Sequence, residues 1–223
     1  MKAARQCCIQ KKEIAVCFVP MGITNARQSK KSKSVLMVRL LKYFSKYNAL
    51  SNEADKAISE ISKVVTVKKN LDLQPIGHTC KTIYFINKGI ARIYYYKDGN
   101  DVTESFSFEN NIIARVESLF SGTPSRKAIQ VLEDTELIAI DSAKLFKLYD
   151  TFPEIERLFR KIFESGYVET VHRIEGIQFH TAEERYTALI KEAPDVLKRV
   201  PLKYIASYLG ITQVSLSRIR AGK

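Results

Sequence analysis

Seven polar residues near the C-terminus have types and spacing suited to gripping a polyanion and reading it: Lys203, Thr212, Gln213, Ser215, Ser217, Arg218 and Arg220. A glutamine can pair with one adenine edge through two hydrogen bonds, and an arginine can do the same with guanine. Lysine, serine and arginine also bind phosphate oxygens, which fixes position but carries no sequence information. Catalytic chemistry has far fewer candidates. The chain holds three histidines, His78, His172 and His180, and only His78 falls in a strand-rich region, so no metal triad of a cupin-like enzyme assembles. No nucleophile and base signature and no phosphate-binding loop is present. Cys7, Cys8, Cys17 and Cys80 lack the spacing of a zinc site, a disulfide framework or an iron–sulfur cluster. An enzyme is therefore not expected.

The elements that must position the seven residues are legible around them. Pro201 suits the first turn of a helix, where its missing N–H costs nothing. Leu202, Ile205, Ala206 and Leu209 recur at helical spacing and give that helix one apolar face. Gly210 follows as a helix stop and Thr212 can cap the next helix, in which Leu216 and Ile219 face inward. Ile211 can fill the gap between the two helices. This predicts a helix-turn-helix whose second helix presents Gln213, Ser215, Ser217, Arg218 and Arg220. The alternative is a plain helical hairpin with a solvated basic face. Small Ala206, Gly210 and Thr212 at these spacings favour the first.

Charge supports this less than its total suggests. The 223 residues carry a formal charge of +12. Residues 1–36 hold Lys2, Arg5, Lys11, Lys12, Arg27, Lys30, Lys31 and Lys33 against Glu13, eight positive charges less one negative, so about +7 of the excess lies there. This tail shows no periodic element, and residues 27–34 have a disordered composition. It either adds nonspecific nucleic-acid affinity or precedes a true start at Met21 or Met37. The apolar stretch 14–23 faintly resembles a signal peptide but is short, contains Pro20 and lacks a cleavage site. No apolar run is long enough to span a membrane, and a reducing cytoplasm is expected.

The body alternates between helical and strand-like periods. Residues 37–62 are helical, with a restart near Ser51. Val64–Val67 is strand-like. Thr82–Ile86, a turn at Asn87–Gly89 and Ile90–Tyr96 read as a hairpin, and Lys97–Asn100 as a second tight turn leading to Val102–Phe108. Ala128–Val131 and Glu136–Ile140 add further strands, which together predict an antiparallel barrel or roll. Ser142 can cap a helix through Leu148, and Phe152-Pro153 ends it. A longer helix from about Glu154 has a stripe of Ile155, Leu158, Phe159 and Ile162, which shifts past Gly166 to Tyr167, Val171, Ile174 and Gln178. That stripe either packs on its own domain or forms a two-helix seam. A further helix, Ala182–Glu192, precedes the C-terminal pair.

This order of elements, over residues 37–223, resembles the Crp/Fnr family of bacterial transcription regulators. The resemblance is carried most by Arg185-Tyr186, by Val200 through Thr212 and by Leu216 through Arg220, and it looks like the branch common in Bacteroidetes. The hairpin Ile83–Arg92, and Glu109 through Pro124-Ser125, resemble the cyclic-nucleotide-binding β-roll. In members that bind a cyclic nucleotide, a Gly-Glu pair and a later Arg followed by Ser or Thr hold the ribose and the phosphate. Here Ala114-Arg115 and Ser125-Arg126 stand in those places, and Glu117 comes too late to replace the glutamate. Arg115, Glu117, Ser125 and Arg126 remain a candidate anion site, but the ribose acceptor is missing, so cyclic AMP is not an expected ligand. Many relatives place a Glu second in the recognition helix, where Val214 stands here, so the target sequence should differ.

The expected fold class is α+β, an antiparallel cyclic-nucleotide-binding-like roll of jelly-roll type flanked by helices. The expected division is a basic tail in 1–36, a sensor roll in 37–150, a connecting and dimerisation helix in 151–181 and a DNA-binding unit in 182–223. The expected function is a dimeric DNA-binding regulator with double-stranded DNA and a second copy (through the 154–178 helix) as partners. An unidentified small-molecule effector remains open; no other cofactor and no membrane are expected. The alternatives are a ligand-sensing roll that has lost DNA binding, or a cupin-like enzyme.

Overall fold

Strands separated by Gly, Asp and Asn turns fold into two facing antiparallel sheets, and which strand joins which sheet decides which side chains meet. The computed structural model describes residues 23–25 and 30–222. Most of the basic tail, with Cys7, Cys8 and Cys17 and nearly all of the stretch 14–23, lies outside the described residues. The first sheet runs in the order β1 (Ile23–Asn25), β2 (Ser62–Val67), β9 (Thr135–Asp141), β4 (Thr82–Lys88), β7 (Asn111–Ile113). The second runs β3 (Asp72–Gln74), β8 (Ala128–Val131), β5 (Ala91–Lys97), β6 (Asn100–Ser107).

Side chains alternate across each strand. From β4, Tyr84 and Ile86 point into the roll with Val67, Ile93, Ile129 and Leu137. Ile83 and Phe85 point the other way, to a core shared with helices. Apolar on both faces, β4 has to be a covered strand. This corrects the hairpin read from the sequence: β4 pairs with β9 and β7, whereas β5 pairs with β6 and β8. The chain crosses between sheets at Gly89, whose φ is +110° and where an added Cβ would lie 2.4 Å from Thr135 Oγ1. Local sequence cannot distinguish this crossover from a hairpin turn. The Lys97–Asn100 turn does close a hairpin, with Asp98 and Gly99 at φ +51° and +76°, as a two-residue primed turn requires.

Helices cover the outer face of the first sheet. α1 spans Lys30–Ser45 and so starts earlier than the sequence suggested, crossing the division drawn at residue 36. The cause is the apolar stripe, which already includes Leu36 and continues through Met37, Leu40 and Phe44, all buried. α2 (Asn52–Ile61) starts at Ser51, whose hydroxyl accepts the Ala54 N–H. α3 (Val116–Ser121) follows β7. α4 (Ser142–Thr151) is capped by Asp141, which accepts from Lys144 N–H, and not by Ser142, which donates to Lys81 O. The preceding residue occupies the cap because the strand runs straight into the helix.

α5 (Pro153–Phe179) has proline in its first turn and buries Ile155, Leu158, Phe159 and Ile162 against α1 residues in the same core. Past Gly166 the helix leaves that core, and Tyr167, Ile174, Ile177 and Phe179 are exposed. α6 (Ala182–Glu192) opens with a reciprocal capping box between Thr181 and Glu184. α7 (Val196–Arg199), α8 (Leu202–Leu209) and α9 (Gln213–Arg220) complete the chain. Their core contains Leu189, Val200, Ile205, Leu209 and Leu216 together with Ile90 and Leu132 from the roll. No described helix is long and apolar enough to cross a membrane. Among the described residues no three His, Cys, Asp or Glu side chains group as metal ligands.

Candidate nucleic-acid interface and roll cassette

Gly210, at φ +70°, ends α8 in the left-handed conformation that a β-carbon disfavours. Two residues later the Thr212 hydroxyl accepts the Ser215 N–H and caps α9. Ile205, Ala206, Leu209 and Leu216 close the space between the helices, and Ile211 packs against the same cluster. Two capped helices joined by a short turn thus stand at the positions read from the sequence. Gln213, Ser217, Arg218, Arg220 and Lys203 are all exposed. Thr212 and Ser215 share a hydroxyl hydrogen bond of 3.0 Å, and Ser217 donates to Gln213 O, so these three hydroxyls already serve the helix. Val214 stands among them 62% exposed, an apolar side chain on an otherwise polar face.

The helix pair is fastened to the roll. The Ser207 hydroxyl, on α8, accepts the Thr103 N–H at 2.9 Å and donates to Asp101 O at 3.2 Å. Both partners lie on β6, the outermost strand of its sheet. Phe106 of β6 packs on Tyr208, ring centres 5.1 Å apart. Arg92 of β5 lies 3.6 Å from the ring centre of Tyr204. At the far end of α8, Arg173 of α5 donates to Tyr208 O and Arg185 of α6 to Leu209 O, two cations on the partial negative charge of a helix C-terminus.

α7, which the sequence did not reveal, contributes a further tie. Arg199 bridges Glu109 of the loop after β6 and Glu133 of the turn before β9. Glu109 also accepts the Gly89 N–H at 2.9 Å. Burial works against the Glu109 carboxylate, but hydrogen bonds from Arg199 and Gly89 outweigh it and hold its pKa below the ordinary value of 4.5. The same two carboxylates push the Arg199 pKa up.

The second candidate site lies at the start of α3. The Arg115 side chain is only 9% exposed. Its Nε–H donates to Ser125 Oγ over 3.4 Å, and its nearest carboxylates are Glu104, at 3.8 Å, and Glu117, at 4.0 Å. Lys127 pairs with Glu104 as well. Glu104 owes its position to a bulge: Ile93 faces Ser105 and Tyr94 faces Thr103, so Glu104 is the extra residue of β6. A bulge of this kind re-aims a side chain. The sequence-predicted Arg115, Glu117 and Ser125 therefore come together. Arg126 does not join them; it is exposed and, among the described residues, makes no hydrogen bond or ion pair. Glu104 and Lys127 were missed, because nothing local marks the bulge.

Residues 65–152 match the family described as cyclic nucleotide-binding domain. No curated protein sequence matches the chain. Among solved structures it is similar to FixK2 from Bradyrhizobium japonicum, at 17% identity and a TM-score of 0.64 over 73% of this chain and 84% of that one. A structure from Eubacterium rectale, assigned to the crp/fnr family of transcriptional regulators, gives 18% identity and a TM-score of 0.64, covering 81% and 87%. The c-di-GMP responsive global regulator CLP from Xanthomonas campestris gives 14% and 0.60, covering 77% and 91%. At these identities the likeness is one of fold.

Proposed function

From a chain that carries a cyclic nucleotide-binding-type roll, matched over residues 65–152, we propose a sequence-specific DNA-binding transcription regulator of Crp/Fnr type. The observation that carries this reading is the capped helix pair with Gln213, Val214, Arg218 and Arg220 turned outward beside Lys203. The start of α9 enters the major groove, where Gln213 and Arg218 reach base edges and Val214 meets a thymine methyl group. Lys203 and Arg220 contact phosphates. Two copies join along residues 154–178 of α5, through the face that leaves Tyr167, Ile174 and Ile177 exposed, and present two recognition helices about one DNA turn apart.

The roll is not a cyclic AMP receptor in this reading. Arg115 stands where a ribose-binding glutamate is needed, and Glu104 gives Arg115 and Lys127 the counter-charge that a cyclic phosphate would supply. A different signal reaches the roll.

Selection of the purified full chain on a random DNA library tests the proposal. The expected result is an enriched palindrome bound by a dimer, with affinity falling steeply as salt rises. Recovery of no consensus, with equal binding to all duplexes, would overturn it and favour a sensing roll whose helix pair no longer reads DNA.

A further inference from the structure

Arg173 and Arg185 come from opposite sides of the α5–α6 junction and meet at the last turn of α8. Arg173 donates to Tyr208 O and stacks on the Tyr208 ring, 3.8 Å from its centre. Arg185 donates to Leu209 O over 2.7 Å and to the carbonyl of His180, the C-cap of α5. Both residues are half-buried, and the Nε–H of each is enclosed with no acceptor among the described residues. Neither forms an ion pair with a described carboxylate.

The charges here do not balance. A helix C-terminus carries about half a negative charge, so the ends of α5 and α8 together offset about one of the two guanidinium charges. The Glu104 charge reaches Arg173, but that carboxylate is already shared by Arg115 and Lys127. Burial and the neighbouring Arg185 hold the Arg173 pKa below its ordinary value. Two enclosed N–H donors on adjacent like charges call for one shared acceptor.

We propose that Arg173 and Arg185 form an oxyanion site that takes a phosphate group. One guanidinium fork already uses both oxygens of a carboxylate, whereas a phosphate has oxygens for two forks. The site is separate from the Arg115 cluster and from the exposed side chains of α9. Its position gives it a consequence. Only Gly210, Ile211 and Thr212 join α8 to α9, so a phosphate held here ties the end of α8 to α5 and α6 and fixes the direction in which α9 leaves. Two sources share this chemistry: a free phosphate compound, and a backbone phosphate of bound DNA, the second resting on the proposed DNA-binding function.

Thermal melts and calorimetry of the full chain in sodium phosphate, against sodium chloride at equal ionic strength, test the site. Wild type should show a saturable rise in melting temperature with phosphate beyond that with chloride. Arg173→Gln should weaken phosphate binding about tenfold. Lys127→Gln, which disturbs only the Arg115 cluster, should leave it unchanged. Arg173→Lys keeps the charge but loses the fork; it should also weaken phosphate, and it keeps the test decisive if Arg173→Gln does not fold. A phosphate response no larger than that of chloride would overturn the proposal. So would equal phosphate affinity in wild type and the Arg173 variants, or its loss in Lys127→Gln. DNA binding on the same samples separates the sources. Phosphate that competes with a random duplex, with a salt slope shallower by about one in Arg173→Gln, assigns the site to the DNA backbone. Phosphate that leaves DNA binding in place assigns it to a free phosphate compound. A chain that binds phosphate but no duplex keeps the site and overturns the DNA-binding reading instead.

Discussion

Arg92 lies 3.6 Å from the ring centre of Tyr204, so the most deeply buried cation of the roll is roofed by the first helix of the C-terminal pair. Below that ring all five guanidinium N–H groups are used: two on Asp101, two on Gln130 and one on Thr103. Tyr94 covers a second side at 4.2 Å. The tyrosine ring completes the exclusion of this guanidinium from water.

Tyr204→Ala should therefore destabilise the chain by about 2 kcal/mol, from the lost ring attraction and the lost apolar cover. Tyr204→Phe should retain most of that, since the ring remains. Urea unfolding of the two variants measures the difference. Equal loss in both would show that the hydroxyl, not the ring, matters.

Arg199→Gln should cost about 1 kcal/mol, a modest figure because the bridged side chains are about 29% exposed and screened by solvent. The pH dependence has a definite sign. The folded pKa of Glu109 lies below its ordinary value, so its contribution is present above pH 4.5 and is lost as pH falls through the folded pKa. Thermal melts of wild type should fall on acidification below pH 4.5, and Arg199→Gln should show a shallower acid limb. Parallel curves would mean the bridge adds nothing.

Arg218→Ala should weaken binding to the selected DNA site by about 1–3 kcal/mol while changing random-sequence affinity little, if the side chain reads a base. Equal loss on both duplexes would reassign it to a phosphate. Val214→Ser should relax the preference for thymine at one position of each half-site, read by repeating the selection with the variant.

Glu104→Gln removes the nearer carboxylate from a buried arginine and from the lysine it pairs with, at a cost of about 1–3 kcal/mol. Sulfate should restore stability in the variant more than in wild type, because an anion can then approach Arg115 and Lys127. Identical melting gains for both proteins in sulfate and chloride would refute this account of the cluster.

What the sequence reveals here depends on how local the cause is. The helix pair was legible down to Gly210 and Thr212 because caps and stops act within a few residues. The Lys97–Asn100 turn was legible for the same reason. The strands on either side of Gly89 were found, but their sheet assignment was not, since a close pass against Thr135 is a fact about residues far apart. β3, β7 and α7 are three or four residues long, too short for a period to show. Arg115 and Ser125 were picked out by type. Their true neighbour Glu104 depends on a bulge set by strand register, and the partners of Arg199 lie 66 and 90 positions away.

The Ser207 hydroxyl bound to the backbone of β6 has one more consequence, for how the molecule can be taken apart. An outer strand offers unpaired amide and carbonyl groups to any other chain that meets it. Here the C-terminal helix pair shields that strand. Cut away after α6, the roll would bare both the edge and the apolar patch around Ile90 and Leu132, and would tend to self-associate in solution. The two halves are thus poor candidates for domain shuffling, and a chimera that exchanges the helix pair has to carry a small hydroxyl residue at position 207.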